Sequence, residues 1–372
     1  MNGRGRVLTM ARDAGAGTAL APVVRAFIRD GVLTVSTVAA GKAAPVFERH
    51  GLPVLAFPEL PDETQVAALL ERERPDVVLT GTSFKPDRDV LFWRAGAARG
   101  VPTLALVDHW VNYLERFSIE RPFDALPDVV AVMDDVTAQR LCDLGCPAER
   151  VRVTGQPYFD ELAAEGAAVG RDEARRELGI DPDRIVVVFA SEPQARYCGA
   201  SSDDPGYLGY TEHDVVALLR RALAEVARDA ILIVKLHPLE DPDAFHELAD
   251  MTGVPAIRVL RTYPPAHLIS AADVVVGMTS VFQLESAVMG VPTLSLRPGG
   301  REDEFFLEVH RGLIETVLDP ANAAPALRRA LDRAPLALDA PRPSFGEGAI
   351  ERLSALVYEL AADVPREVVR AR

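Results

Sequence analysis

The sequence predicts an α/β protein with two domains, each built on a parallel sheet that helices cover on both faces. Short apolar runs of strand type alternate with helix-like segments along the chain, which is typical of βαβ units. The runs are continuously apolar, as expected for strands that are buried on both faces. At 372 residues the chain is longer than one core usually serves, so two domains are expected.

The first domain is predicted to span residues 1–160. Its predicted strands are Val7–Ala11, Leu33–Val38, Val54–Ala56, Val77–Gly81, Thr103–Val107, Val129–Met133 and Arg150–Thr154. Its predicted helices are Ala19–Asp30, Ala43–His50, Glu63–Glu73 and Val90–Arg99. Apolar density falls and turn residues gather near residues 158–170, which places the domain boundary there.

The second domain, residues 161–345, repeats the alternation of strands and helices. Its predicted strands are Ile185–Ala190, Ile231–Leu236, Ala256–Leu260, Val274–Gly277, Thr293–Leu296 and Leu313–Val317. Its predicted helices are Asp214–Ala227, Pro264–Ala271, one starting at Ser280, and Ala324–Arg333. The long irregular segment Pro193–Tyr210 is interpreted as a substrate-gating flap. After a proline-rich stretch, residues 346–372 are expected to form a helix that returns to the first domain.

Charge and composition exclude several classes of function. The formal net charge of −15 argues against a sequence-independent nucleic-acid binder and against docking on an anionic membrane. No apolar stretch approaches the ~18–20 residues of a membrane span, and the N-terminus lacks the core of a signal peptide. The cysteines Cys142, Cys146 and Cys198 lack the pairing of a zinc site. We expect a cytoplasmic protein with reduced thiols.

The stretch Ala272–Gly300 contains a complete strand–helix–strand unit with its end signals. Ser280 is a predicted helix N-cap, and Gln283 follows at the spacing of a capping box. Gly290 stands where a glycine ends a helix, just before Pro292.

Glu285 is the unusual residue of this helix. A rotation of about 100° per residue places it between Val281 and Met289, while Gln283 and Ser286 point the other way. A carboxylate in an apolar stripe needs a hydrogen-bonding partner. Glu285 either forms an internal salt bridge or faces a ligand whose hydroxyls it binds. In the second case the free N–H groups at the helix start would attract an anion.

Other candidate residues follow predicted strands, where ligands of open parallel sheets collect. Asp108 and His109 end a strand of the first domain and are a candidate base and its partner; a structural turn is the alternative. Asp13, Gly15 and Gly17 lie between the first strand and helix, where glycines let the backbone pass close to a ligand or the other domain. A tight turn without a ligand explains this segment equally well.

The second domain offers Glu192, His237 and Arg297 at neighbouring strand ends. Three Asp-x-Asp sequences, at residues 87–89, 181–183 and 241–243, are interpreted as turns and helix starts rather than metal ligands. Phosphate charge would then be balanced by a helix N-terminus, His237 and Arg297. No metal or cofactor is therefore expected.

Thr279-Ser280, Glu285 and Gly290-x-Pro292, preceded by SAADVVVG, resemble the nucleotide-sugar-binding domain of GT-B glycosyltransferases. The resemblance implies two Rossmann-like domains facing across a cleft. It also implies that Thr279 and Ser280 hold a diphosphate and that Glu285 binds ribose hydroxyls. The first half has DAGAG in place of the GGxGGH-like loop of lipid-intermediate transferases, so a lipid acceptor is not implied.

Two further segments resemble relatives of that superfamily. Lys235–Pro238 looks like the KxHP element of polymer-type glycerophosphotransferases, where the histidine faces donor phosphates. The loop LRPGGREDE, with Arg297 and Arg301, looks like the arginine-bearing loop of non-hydrolysing UDP-sugar 2-epimerases. Those epimerases start the helix with Ser-Gly-Gly-x-Gln-Glu-Glu. Gln283 and Glu285 match it, whereas Val281, Phe282 and Leu284 depart from it, which makes epimerase chemistry less expected.

The predicted function is a metal-independent GT-B glycosyltransferase that moves a sugar from a nucleotide-sugar donor to a small-molecule or glycan acceptor. Asp108 or His109 would be the acceptor base, and the donor would contact Glu192, His237, Thr279, Ser280, Gln283, Glu285 and Arg297. A nucleotide-sugar 2-epimerase or hydrolase, a CDP-glycerol-type glycerophosphotransferase and a non-catalytic binding module are the alternatives.

Overall fold

The computed structural model describes residues 5–227, 229–245, 255–300, 313–333, 345 and 347–362. The chain divides into two compact units. Unit 1 comprises Met1–Glu161 and Ser344–Arg372, and unit 2 comprises Leu162–Pro343. Each unit contains a six-stranded sheet whose neighbouring strands are parallel. The predicted α/β class with two parallel sheets is confirmed. Arg301 and the proline-rich stretch 335–344 lie outside the described residues.

The strands of unit 1 have the order β2-β1-β3-β4-β5-β6, and those of unit 2 the order β12-β11-β10-β7-β8-β9. In unit 1 they are β1 Gly5–Ala11, β2 Leu33–Ala39, β3 Val77–Thr80, β4 Thr103–Leu106, β5 Val129–Val132 and β6 Val151–Val153. In unit 2 they are β7 Ile185–Ala190, β8 Ala230–Lys235, β9 Ala256–Leu260, β10 Val274–Gly277, β11 Thr293–Leu296 and β12 Glu315–Val317.

Helices connect these strands. In chain order they are α1 Ala14–Asp30, α2 Ala44–Arg49, α3 Glu63–Glu73, α4 Asp89–Ala97, α5 Asp135–Asp143, α6 Pro157–Val169, α7 Arg171–Glu177, α8 Gln194–Tyr197, α9 Glu212–Val226, α10 Pro265–Ala271, α11 Val281–Val288, α12 Ala323–Asp332 and α13 Ala349–Ala362. The unit boundary falls within α6. Among the described residues, no helix combines the length and apolarity needed to cross a membrane.

Successive side chains of a strand point to opposite sides of the sheet. The central strands have an apolar core on each side, so both of their faces are buried. In β7, Val187 and Phe189 enter one apolar core of unit 2, and Val186 and Val188 enter the other. All residues of β3 and β4 are buried, whereas the edge strand β6 exposes Arg152 and Val153. Continuous apolar runs therefore correspond to interior strands.

The last helix, α13, belongs to the core of unit 1. Leu353 and Val357 are fully buried there, in one cluster with Leu20 and Phe27 of α1. The rings of Phe27 and Tyr358 are 5.7 Å apart, a distance typical of aromatic pairs.

Two predicted elements differ from the structure. Residues 52–58 have no regular secondary structure, so the predicted strand Val54–Ala56 is wrong, although the Leu55 N–H donates to Thr37 O at 2.8 Å. Helix α1 begins at Ala14 rather than Ala19, so Gly15 and Gly17 lie in the helix and not in a turn. Gly17 is needed for packing: a Cβ there would be 3.1 Å from Ala43 Cα.

Candidate functional site

In unit 2, polar side chains follow three adjacent strands. β10, β7 and β8 are neighbours in the sheet, and their carboxyl ends lie at the same edge because the strands are parallel. Glu192 comes just after β7, Lys235 ends β8 and precedes His237, and Thr279 comes just after β10. These residues form the unit 2 cluster. The structure thus brings predicted site residues together and adds Lys235 to them.

Glu192 and Thr279 are bonded directly to each other. The Glu192 carboxylate accepts a hydrogen bond from the Thr279 N–H at 2.7 Å and another from the Thr279 hydroxyl at 2.9 Å. Burial raises the pKa of Glu192, and the two bonds from Thr279 oppose that rise. The sequence predicted that each residue binds a ligand. In this structure each is the other's partner.

Glu240 is a member of the unit 2 cluster that the sequence reasoning missed. Its buried carboxylate accepts from the Ser191 hydroxyl at 2.6 Å and from the His237 N–H at 2.5 Å. Burial raises the pKa of Glu240. The sequence does contain a pattern that could have identified Glu240: a glutamate three residues after His237. At this spacing, a turn brings the side chain back to the backbone. The Glu240 N–H does bond His237 O, closing this turn.

His237 presents a neutral ring to the cluster. Its Nδ1 accepts a hydrogen bond from the Leu239 N–H at 3.2 Å, which assigns the ring proton to Nε2. Burial lowers the pKa of His237, and the positive charge of Lys235 lowers it further. His237 is therefore a hydrogen-bond donor through Nε2 at neutral pH.

Lys235 contributes an ammonium group to the unit 2 cluster. Its Nζ lies 5.0 Å from the centroid of the Phe282 ring, within the range of a cation–π contact. Burial lowers the pKa of Lys235, and the negative charges of Glu285 and Glu240 oppose this effect.

Helix α11 has the predicted ends but buries a different face. The Ser280 hydroxyl accepts from the Phe282 N–H at 3.3 Å, instead of forming the predicted capping box with Gln283. Gly290 has a positive φ of 77°, as expected of a glycine at the end of a helix.

On α11, the buried polar residues are Gln283 and Ser286, which lie on the face opposite Glu285. Gln283 Nε2 donates to Leu294 O at 3.1 Å, and the hydroxyls of Ser286 and Thr293 are 2.9 Å apart; both α11 side chains are fully buried. Glu285 is half-buried, as are Val281 and Met289. Glu285 therefore lies on the less buried face of α11, although its Oε2 is shielded from solvent. The opposite face can bury polar side chains because partners on β11 and beside it bond them. The role of Glu285 in binding a ligand stays a prediction. Gln283 is a packing residue rather than a ligand contact.

Arg297 follows β11 and is almost completely buried, with 1% of its surface exposed. The backbone N–H of Arg297 donates to Val317 O of β12 at 2.9 Å. An arginine this deeply buried keeps its charge and must be balanced by acceptors. Its place at the carboxyl end of the sheet agrees with the sequence prediction, and its role in binding stays a prediction.

In unit 1, Asp108 is paired with Arg116, a residue that the sequence reasoning missed. Arg116 Nη1 donates to Asp108 Oδ1 at 2.6 Å, and also to the hydroxyl of Thr82 at 2.7 Å. Both charged side chains are less than one-tenth exposed. Gly15 permits this arrangement, since a Cβ there would lie 2.0 Å from Asp108 Oδ2. Gly15 thus accommodates Asp108 of its own unit.

His109 lies beside this ion pair and is held by its neighbours in the chain. Burial lowers the pKa of His109; the Asp108 carboxylate opposes the shift, and Arg116 adds to it. Gln156 Nε2 donates to Asp108 O at 2.8 Å, and Trp110 Nε1 donates to Asp134 Oδ2 at 2.6 Å. A neutral imidazole in a fixed turn can accept a proton.

Two further carboxylates hold the loop after β3. Asp13 accepts from the Phe84 N–H at 3.3 Å, and Asp89 accepts from the Ser83 N–H at 2.8 Å. Burial raises the pKa of Asp89 to about 7. Asp87, the other acid of that Asp-x-Asp, forms an ion pair with Arg12. Within the described residues, no group of three or more His, Cys, Asp or Glu side chains could hold a metal ion.

The other two Asp-x-Asp sequences are turns. Asp181 accepts from the Asp183 N–H, and Asp241 accepts from the Asp243 N–H, each at 3.0 Å. Both are Asx-type turns of the predicted kind.

Comparison with known proteins shows similarity in structure alone. No family model matches the chain, and no curated protein matches its sequence. UDP-GlcNAc 2-epimerase from Methanocaldococcus jannaschii aligns with a TM-score of 0.69 and 13% identity, over 95% of this chain and 99% of the other. MnaA of S. aureus with UDP aligns at 0.67 and 16%, over 97% and 99%. The Neisseria meningitidis 2-epimerase bound to UDP-GlcNAc aligns at 0.64 and 14%, over 95% and 100%.

At such low sequence identity, the TM-scores show that the fold is shared and nothing further. The similar structures cover both units, and they include enzymes rather than binding modules. The chain therefore has the two-domain GT-B fold that UDP-GlcNAc 2-epimerases share, as the sequence motifs predicted.

Proposed function

We propose that the protein is a UDP-sugar 2-epimerase, which binds its substrate's diphosphate at the unit 2 cluster. One observation carries this proposal: Lys235, His237 and Thr279 lie at the carboxyl ends of β8 and β10, on either side of β7, in a fold shared over almost the whole chain with 2-epimerases. Glu285 lies on α11, the helix that follows β10. Two of the similar proteins hold UDP or UDP-GlcNAc in their structures, which supports a uridine nucleotide as the ligand.

The chemistry of the unit 2 cluster suits a nucleoside diphosphate. The Lys235 ammonium and the His237 Nε2–H offer positive charge and a donor to phosphate oxygens. The Glu285 carboxylate is an acceptor for sugar hydroxyls. Arg297 adds a permanent positive charge at the same sheet edge, where it would stabilise a departing diphosphate.

Inversion at C2 requires a base that removes the C2 proton as the C1–O bond to the diphosphate breaks, which leaves a C1=C2 double bond and free UDP. The epimer forms when a proton adds to the other face of C2 and UDP adds back to C1. We assign the role of the base to His109. The Asp108 carboxylate is occupied by its ion pair with the Arg116 guanidinium. Burial keeps the pKa of His109 below its ordinary value, so the imidazole is neutral and able to accept a proton at pH 7. Asp108 then serves to position the turn that carries His109.

A glycosyltransferase is the second candidate. The helix start has Val281, Phe282 and Leu284 where the epimerase pattern has two glycines and a glutamate. This departure favours transfer to an acceptor, whereas the structural similarities favour epimerisation.

The decisive experiment incubates the protein with UDP-GlcNAc in D₂O without an acceptor and follows the C2 proton by NMR. A 2-epimerase forms the C2 epimer and incorporates deuterium at C2. Substituting His109→Gln should lower the rate by about 100-fold or more without changing the melting temperature. Transfer to an added acceptor without C2 exchange would contradict the proposal in favour of a glycosyltransferase, and release of free sugar would identify a hydrolase.

A further inference from the structure

We propose that Glu192 competes with the substrate's phosphate for the donors of Thr279, so that the nucleotide binds only when the Glu192 carboxylate is displaced. This inference rests on the proposed function, because it concerns the regulation of the same nucleotide site. It makes Glu192 an internal stand-in for the ligand rather than one of the groups that hold it.

The geometry of the contact matches that of a bound anion. Glu192 Oε2 accepts from the Thr279 N–H at 2.7 Å, while Oε1 accepts from the Thr279 hydroxyl at 2.9 Å. Thr279 has one backbone donor and one side-chain donor, and Glu192 occupies both. Thr279 immediately precedes Ser280, the N-cap of α11, where a phosphate would also be attracted. A phosphate can use Thr279 only after Glu192 has left it.

The charges around Glu192 oppose a second anion at this position. Glu240, in the turn after β8, accepts a hydrogen bond at 2.6 Å from the hydroxyl of Ser191, the residue just before Glu192. Burial raises the pKa of Glu192, and the negative charge of Glu240 raises it further. Glu212, on α9, acts on Glu240 in turn, and Lys235 is the positive charge close to Glu240. A phosphate placed beside the ionised Glu192 would meet at least two carboxylates and one ammonium group.

Nucleotide binding should therefore take up a proton. Burial is the largest cause of the raised pKa of Glu192, and the two Thr279 bonds oppose it. A carboxylate that turns away from Thr279 but stays buried in the unit 2 cluster keeps the effect of burial, loses the opposing bonds and meets the negative charge of the ligand. Both changes favour the protonated acid. Because protonation helps binding, the affinity for the nucleotide falls as the pH rises.

The test compares wild type with Glu192→Gln by calorimetric titration with UDP and with inorganic pyrophosphate at pH 6 and pH 8. Glutamine keeps the size of the side chain but not its charge. We expect the variant to bind both ligands about tenfold more tightly at pH 8, with a smaller loss of affinity between pH 6 and pH 8. Titration of His237 and of the phosphates affects both proteins alike, so the difference isolates Glu192.

Glu177→Gln is the matched control, since Glu177 is an exposed carboxylate of unit 2 bonded to His267. Its affinities should equal those of wild type. A second measurement needs no variant: titration of wild type in buffers with different ionisation enthalpies should show net proton uptake on binding.

The outcomes separate this inference from the proposed function. Equal or weaker binding by a folded Glu192→Gln variant, or no proton uptake by wild type, overturns the competition. Tighter binding by the variant without any 2-epimerase activity leaves the competition standing and rejects the epimerase. If neither UDP nor pyrophosphate binds to either protein, both proposals are wrong.

Discussion

Asp89 illustrates how one residue can link folding to pH. The sequence places it in an Asp-x-Asp, and the structure buries it at the start of α4, bonded to Ser83. Burial is the largest cause of its raised pKa; Asp13 adds to the rise, while Ser83 and Arg12 oppose it. Local sequence indicated a helix start here. It could not reveal the burial, which arises from the surrounding loops.

Substituting Asp89→Asn should reduce the pH dependence of stability. The folded-state pKa of Asp89 is about 7 and the ordinary value is 3.8, so the folded protein holds a proton that the unfolded chain releases between these values. The stability that this proton contributes is present below the unfolded pKa and is lost as the pH rises towards about 7. Relative to wild type, the variant should therefore gain more in melting temperature at pH 8 than at pH 5, where only part of this stability has been lost. An equal difference at both pH values would contradict this explanation.

At the scale of elements, α11 shows which features are local. Ser280 and Gly290 mark its ends because caps depend on residues next to the helix. Its buried face depends instead on β11, which offers Leu294 O to Gln283. A helical wheel does not include such partners, so it could not show that the face with Gln283 and Ser286 is the more deeply buried one.

Packing between β10 and α11 gives a prediction for Gly277. A Cβ at this position would lie 2.7 Å from both Cγ and Cδ of Gln283, which is too close for any Cβ contact. Gly277→Ala should destabilise unit 2 by about 1–3 kcal/mol, measured by urea unfolding. The double variant with Gln283→Ala relieves the clash, so its loss of stability should be smaller than the sum of the two single losses. Additive losses would show that the clash is relieved in another way.

At the scale of the whole molecule, the chain leaves unit 1 within α6 and returns to it for α13. Unit 1 is therefore assembled from both ends of the sequence. The sequence predicted a last helix that returns to the first domain, and Leu353 and Val357 are buried in a cluster with residues of α1.

Removal of residues 344–372 should destabilise unit 1 selectively. Burial of side chains the size of Leu353 and Val357 contributes about 1.5–3 kcal/mol each, and both contact the core shared with α1. Hydrogen exchange should show loss of protection in β1 and α1, while β7 and β8 remain protected. A full-length chain with Glu351→Gln, at an exposed position of α13, is the control and should keep full protection. Equal loss in both units would contradict independent cores.

By itself, the sequence determined the predicted strands except Val54–Ala56, the approximate ends of most predicted helices, the parallel α/β class and the strand ends that carry polar residues. These features depend on apolar runs, caps and turns, which act over a few neighbouring residues. Only the tertiary structure decided the partners: Arg116 for Asp108, Thr279 for Glu192, and Glu240 for His237. These contacts join residues on separate strands and loops, or depend on how a turn is buried. Pairing and burial set the charge and proton affinity of each group, so they decide what the candidate site can do.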